Sequence, residues 1–227
     1  MRVPGAVRRA ALLVVVCVPA LAAQGAVSGQ VTLIERPGET SEDLADVIVW
    51  LEPSGGVRAG AKAVKATIQL QGRQFSPRVR AVPEGSKIEF PNQDTFSHNV
   101  FSKAPNGAFD TGVYGRGKSG DQTFKEAGVV PIYCNVHPRM TGYVVVMKSP
   151  YFAQASDDGR FSVTNVPAGS YTMHVWHDRA PTIEKPVVVA AGGLVAGKIE
   201  LDASGYRFVQ HKNKLGKEYT NAAGDRY

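Results

Sequence analysis

Along most of the chain, apolar residues recur in short runs, some alternating with polar ones at the period of two of a half-buried strand and others continuous and β-branched. The runs are VSGQVTL (27–33), DVIVWLEP (46–53), KATIQLQ (65–71), SKIEFPN (86–92), VVPIYC (129–134) and GYVVVMK (142–148). GRFSV (159–163), GSYTMHVWH (169–177), KPVVVA (185–190) and VAGKIEL (195–201) follow. Gly, Pro, Asn and Asp punctuate them, as turns between strands demand. No stretch sustains the 3.6-residue repeat of an amphipathic helix. The pattern predicts an all-β protein of sandwich or barrel type. Residues 203–227 are polar and basic with no periodic apolar face, and predict a C-terminal tail outside the sheets.

The N-terminus has a different pattern. Arg2, Arg8 and Arg9 precede an apolar run from Ala10 to Leu21, and the small residues Ala20, Ala22 and Ala23 stand at its end. That is the layout of a secretory signal peptide over residues 1–23. The run is too short to cross a bilayer as a helix, and no lipobox precedes Cys17. The mature chain is expected to be periplasmic or secreted, with no transmembrane segment. Removing the signal changes two counts. The chain has two cysteines; Cys17 leaves with the signal, so Cys134 stands alone and has no internal disulfide partner. It is either a metal ligand or an inert buried thiol. The formal net charge of +6 includes three signal arginines and no signal acids, which leaves +3 on the mature chain. These charges are dispersed, with no dense Lys/Arg run, which argues against a nucleic-acid partner.

Chemistry concentrates in YCNVHPRM (133–140). Cys134 ends an apolar run, and His137 and Met140 sit on a short turn stiffened by Pro138 before the next strand. A turn between two strands can aim three side chains at one centre without distorting the sheet. His98, in PNQDTFSHNVF (91–101), is the best candidate for a fourth ligand. Two imidazoles, one thiolate and a thioether describe a type 1 copper site. Zinc would normally take more Cys, His or carboxylate and leave Met unused. An iron–sulfur cluster needs more cysteines. The mixed set suits Cu(I) and Cu(II) alike, so little need move when an electron arrives or leaves.

On these pieces, residues 61–148 resemble the cupredoxins, in particular plastocyanin-like proteins of bacterial secretomes often labelled methylamine utilisation proteins. FSPRVRAVPEGSKIEFPNQDTFSHNVF and GVVPIYCNVHPRMTGYVVV carry the resemblance. It implies a Greek-key sandwich holding one copper ion on His98, Cys134, His137 and Met140, with Asn99 tying the His98 loop to the Cys134 loop. It also implies that the His137 edge lies near solvent. One departure bears on the axial position. Plastocyanins and pseudoazurins usually have four residues between the second His and the Met, whereas here only Pro138 and Arg139 intervene. Met140 then either sits close, giving a more tetragonal, greener site, or does not bind.

The segment SDDGRFSVTNVPAGSYTMHVWH (156–177) resembles the carboxypeptidase regulatory-like, transthyretin-like sandwich, and SGQVTL with ADVIVWLEP fits that family's opening. The resemblance implies a second small β-sandwich split into 24–60 and 149–202, with the cupredoxin inserted. Two β domains in tandem are the alternative.

His174 and His177 lie at an odd offset, which puts strand side chains on opposite faces, so they should not chelate one ion together. His211 lies in the tail, where no role is expected. Copper oxidases and nitrite reductases need further histidines, commonly as His-x-His, and none occurs here. The expected function is a one-electron carrier, not an enzyme, with a redox partner protein docking near His137 and Arg139. The alternative is a cell-envelope scaffold or copper-binding module without redox turnover.

Overall fold

The computed structural model describes residues 24–56 and 60–219. The expected signal peptide lies outside the described residues. The strands are β1 Gln24–Ile34, β2 Ile48–Pro53, β3 Lys65–Thr67, β4 Gln69–Gln71, β5 Gln74–Ser76 and β6 Val79–Pro83. They continue as β7 Ser86–Pro91, β8 Phe101–Ser102, β9 Phe109–Asp110, β10 Ser119–Phe124, β11 Gly128–Tyr133 and β12 Thr141–Met147. The last are β13 Phe152–Gln154, β14 Arg160–Pro167, β15 Gly169–His177, β16 Ala180–Val189 and β17 Leu194–Asp202. The protein is all-β, as the alternation predicts. Among the described residues its only helical turn is a 3-10 turn at Leu44–Asp46.

Two sandwiches form. One stacks the sheet β10-β7-β3 on the sheet β6-β12-β11-β8-β9. Its core includes Ile68, Leu70, Ile88, Phe90, Phe124, Ile132 and Val144. The other pairs the sheet β14-β1-β17 with β13-β2-β15-β16, around Val27, Val31, Val49, Leu51, Phe161, Met173 and Leu201. Strands β1 and β2 therefore pair with strands that follow residue 150. In the turn before β14, Gly159 has φ +77° and its Cα lies against the Val31 carbonyl, where a side chain would collide. The predicted strand 65–71 divides at Ile68: β3 pairs with β7, and β4 turns away to pair with β5.

A third apolar cluster joins the sandwiches: Ile48, Val79, Val145, Met147 and Trp176, with Trp50, Tyr143 and Phe152 packed against it. Period-two geometry explains it. In β12, Val144 and Val146 enter the first core while Val145 and Met147 point the other way into the junction. In β2, Val49 and Leu51 enter the second core while Ile48 and Trp50 face the junction. Strands buried on both faces read as continuous apolar runs, which is why DVIVWLEP and GYVVVMK lack strict alternation. Each large side chain so buried contributes up to about 1.5–3 kcal/mol.

Charge closes the rim of this junction. Arg78, just before β6, donates to Asp46 at 2.7 Å and to both oxygens of Asp178 at 2.9 and 2.8 Å. Arg179 donates to Glu35 and Asp43. His177 is fully buried between Asp43 and Asp178. Asp43, Asp46 and His177 lie close enough to face a common ion, but the two guanidiniums already occupy their carboxylates. His174 goes elsewhere, stacked on Trp50 with ring centroids 4.6 Å apart. The two histidines do not share a site.

Candidate metal centre

Strand β7 ends at Pro91, and the chain then folds into a tight loop that presents His98. Asn92, fully buried, organises that loop. Its amide group donates to the carbonyls of Phe96 and Tyr114, and its side-chain oxygen accepts from the Asp94 amide. His98 exchanges backbone hydrogen bonds with Tyr114 at 3.0 and 2.8 Å. Strand β11 delivers Cys134, and β12 begins directly after Met140. Between them the loop closes on itself: the Cys134 amide donates to the Met140 carbonyl at 3.2 Å, and the Met140 amide to the His137 carbonyl at 3.0 Å.

These two loops bring three expected ligands together. Cys134 Sγ lies 3.6 Å from His98 Nδ1 and 3.6 Å from His137 Nδ1. The three donor atoms lie within 4.8 Å of one another. His98 and Cys134 are fully buried, and His137 is half-buried. Met140 is buried in the same apolar core as Cys134. Phe96 sets its ring edge-on to both imidazoles, at 5.2 and 5.3 Å.

The donor set passes a simple test of fit. Ligands about 2.0 Å (N) and about 2.3 Å (S) from a common ion stand 3.6 Å apart when the angle between them is about 115°. Both N···S separations have that value. The protonation states agree. His98 Nε2 meets Asp94 Oδ2 at 2.8 Å. Burial pushes the Asp94 carboxyl up, but the Arg73 and Gly72 amides and His98 together hold it below its usual range. An ionised Asp94 only accepts, so Nε2 carries the proton and Nδ1 turns its lone pair toward Cys134. Burial holds His137 down at about 4, so its imidazole is neutral and free to ligate. Burial pushes the Cys134 thiol up, against the pull of the Asn99, Val136 and His137 amides. Those same amides stand ready to stabilise a thiolate once a cation displaces the proton.

Asn99 joins the two loops. Its Oδ1 accepts from the Asn135 amide at 2.6 Å, and its Nδ2 donates to Asp110 at 3.1 Å. Sequence reading missed Asp94 as the partner of His98, although the residue stands in the same N-x-D-x-x-x-H stretch. It also missed His211, whose ring stacks on Tyr133 at 4.4 Å, one residue from the thiol. A lone histidine in a polar segment carries no signal for such a contact.

Residues 62–147 match the family of copper binding proteins of the plastocyanin/azurin type. Residues 141–196 match domain II of polysaccharide lyase family 4. The comparison thus returns another family for the second sandwich than the transthyretin-like one that 156–177 resembles. Asp-Gly turns and Pro-x-Gly hairpins between alternating strands serve many small sandwiches, so those residues do not single one out. No curated protein sequence matches the chain. Similar solved structures include a purple cupredoxin from Nitrosopumilus maritimus, 28% identical, covering 36% of this chain and 99% of that one, TM-score 0.33. A variant of amicyanin in its reduced Cu(I) form at pH 4 is 24% identical over 40% of this chain and 87% of its own, TM-score 0.34. Another reduced amicyanin variant is 22% identical over 45% and 99%, TM-score 0.34. By its family match, the segment that carries His98, Cys134, His137 and Met140 is similar to the plastocyanin/azurin copper-binding proteins.

Proposed function

We propose that the chain is an exported mononuclear type 1 copper protein that carries single electrons. His98 and His137, through Nδ1, and Cys134, as thiolate, would hold one copper ion, with Met140 as the weak axial ligand. The observation that carries this reading is the pair of 3.6 Å separations between Cys134 Sγ and the two imidazole Nδ1 atoms, in a segment matched to a copper-binding family. Copper in such a set supplies a one-electron couple. The chain's own residues do the rest. Asp94 fixes the His98 tautomer, Phe96 and the core exclude water, and Asn99 keeps the two loops in register.

The full burial of the thiol and of His98 supports a carrier over an enzyme, since only the half-buried His137 approaches the surface. Electrons would pass through the half-buried His137 edge. Val136 is 43% exposed beside it, and the exposed Arg139 adds positive charge. An apolar spot with a charged rim lets a redox partner of neutral or acidic surface approach closely. The test is the absorption and electron paramagnetic resonance of signal-free protein loaded with copper. An intense thiolate-to-copper band, lost in Cys134→Ser, and a reversible one-electron couple are expected. A colourless complex, or a coloured Cys134→Ser protein, would overturn the assignment. Bound copper without a reversible couple would make the protein a store or scaffold.

A further inference from the structure

The segment after β17 does not leave the molecule. It crosses the face of the Cys134 loop as a strap. Phe208 lies under the Arg139 guanidinium at 5.6 Å. His211 stacks on Tyr133 at 4.4 Å and meets Phe101 and Tyr219 edge-on at 6.0 and 5.5 Å. Asn213 then builds a turn, its side-chain oxygen accepting from the Leu215 and Lys217 amides, with Gly216 at φ +77°. The turn puts Lys214 beside Asn135 and brings Tyr219 back to the loop.

Four hydrogen bonds close a ring around the ligand loops. The Asn135 amide donates to Asn99 Oδ1 at 2.6 Å. Asn99 Nδ2 donates to Asp110 Oδ1 at 3.1 Å. Lys214 Nζ donates to Asp110 Oδ2 at 2.7 Å. The Lys214 amide donates to Asn135 Oδ1 at 2.8 Å. Asn135 follows Cys134, and Asn99 follows His98, so the ring grips the neighbours of two of the ligands, one on each loop. Tyr219 adds a fifth bond, its hydroxyl donating to the Cys134 carbonyl at 3.2 Å. Burial pushes Asp110 up, but Lys214, the Gly112 amide and Asn99 outweigh it and hold the carboxyl ionised.

We propose that residues 206–219 are a built-in brace of the metal loops, and that Lys214 and Tyr219 are positioning residues holding Cys134 and His98 in one geometry. The proposal rests on the copper reading above for its redox consequence, but the brace itself is testable without metal. Cys134 is fully buried, so a thiol reagent reaches it only when the loop opens, and opening must break the brace. In metal-free protein, Tyr219→Phe should speed labelling of Cys134 by a chromogenic disulfide reagent about fivefold, the equivalent of one ordinary hydrogen bond. Lys214→Met should do the same, Lys214→Arg should restore the slow rate, and a chain ending at Ser204 should label faster than any of them. In copper-loaded protein, Tyr219→Phe and Lys214→Met should broaden the copper hyperfine lines and move the thiolate-to-copper band, with Lys214→Arg again near wild type.

Equal labelling rates in wild type, Tyr219→Phe and Lys214→Met would refute the brace, whether or not copper binds. Faster labelling with unchanged copper spectra would refute the positioning role. Failure of wild type to take up copper, with the labelling differences intact, would sink the copper reading and leave the brace standing.

Discussion

Asp94 is the sharpest place to test how the metal centre is built. Its Oδ2 accepts from His98 Nε2 at 2.8 Å and from the Arg73 amide at 3.1 Å, and its Oδ1 accepts from the Gly72 amide at 2.8 Å. In Asp94→Ala all three donors lose their acceptor, and nothing then fixes which His98 nitrogen is protonated. The tautomer with a proton on Nδ1 presents N–H rather than a lone pair to the ion. Removing such a partner of a ligating histidine costs about 10–100-fold in metal affinity, or roughly 1.4–2.7 kcal/mol. Asp94→Asn should fall at the lower end, since its one carbonyl can rotate toward His98 and leave only the Gly72 amide facing an NH2 group. The assay is competition for Cu(I) against a chromophoric chelator at pH 7, alongside thermal unfolding of metal-free protein to separate loss of the Gly72–Arg73 contacts from loss of affinity. If Asp94→Ala binds Cu(I) within twofold of wild type and its Cu(II) form has an unmoved spectrum, Asp94 does not set the His98 tautomer and the account of the site is wrong.

Further outcomes follow from other contacts. Met140→Leu should keep copper bound and raise the reduction potential, because a weak donor to Cu(II) is lost; voltammetry decides, and an unchanged potential removes Met140 from the ligand set. Arg78→Met leaves Asp178 and Asp46 without their shared cation and should lower unfolding free energy by about 2–3 kcal/mol, below the 3–5 of a fully buried pair because Arg78 is 29% exposed; a change under 0.5 in denaturant unfolding would contradict it. Burial holds the His177 imidazole below its usual range against the pull of Asp178 and Asp43, so below about pH 6.5 the unfolded chain takes up a proton that the folded one refuses. Stability therefore falls as pH drops through that range, and His177→Gln should flatten the slope of the denaturation midpoint between pH 7 and 5. Arg139→Glu should slow electron exchange with an acidic partner at low salt and much less at high salt, since a rim charge acts over about 10 Å at 0.1 M; stopped-flow rates indifferent to salt and to the mutation would move the exit elsewhere.

The sequence carries the fold class because its long strands read either as period-two alternation, where one face is buried, or as short β-branched runs, where both are. It carries Cys134, His137 and Met140 because one turn between adjacent strands holds them within seven residues, so spacing alone brings them together. His98 is legible only through its residue type and its neighbours, since 36 residues of chain separate it from Cys134. Asp94 was in view without a role, because nothing in its spacing says that Oδ2 faces an imidazole rather than water. The strap was illegible for a physical reason. It is held by single hydrogen bonds and ring stacks from Phe208, His211, Lys214 and Tyr219, and such contacts impose no period on the chain. The strand break at Ile68 is hidden because Ala66, Ile68 and Leu70 alternate as one strand would while pairing with two different partners.

Seen from the thiol, the parts of the chain outside 62–147 hold both ends of the Cys134–Met140 loop. At the far end, β12 starts immediately after Met140, and its Tyr143, Val145 and Met147 are packed into the junction with the second sandwich. Arg78, whose carbonyl accepts from the Tyr143 amide at 2.8 Å, is itself fastened to Asp46 and Asp178 across that junction. At the near end, the strap ties Cys134 and Asn135 through Tyr219 and Lys214. The proposed electron carrier would have to change little in shape between two oxidation states, and a seven-residue loop closed by two backbone hydrogen bonds is too short to guarantee this alone. The second sandwich and the strap supply the missing constraint from opposite sides. Val136 stays 43% exposed beside the half-buried His137, so the braced loop keeps an accessible side next to the ligand through which, on the proposed reading, an electron would leave.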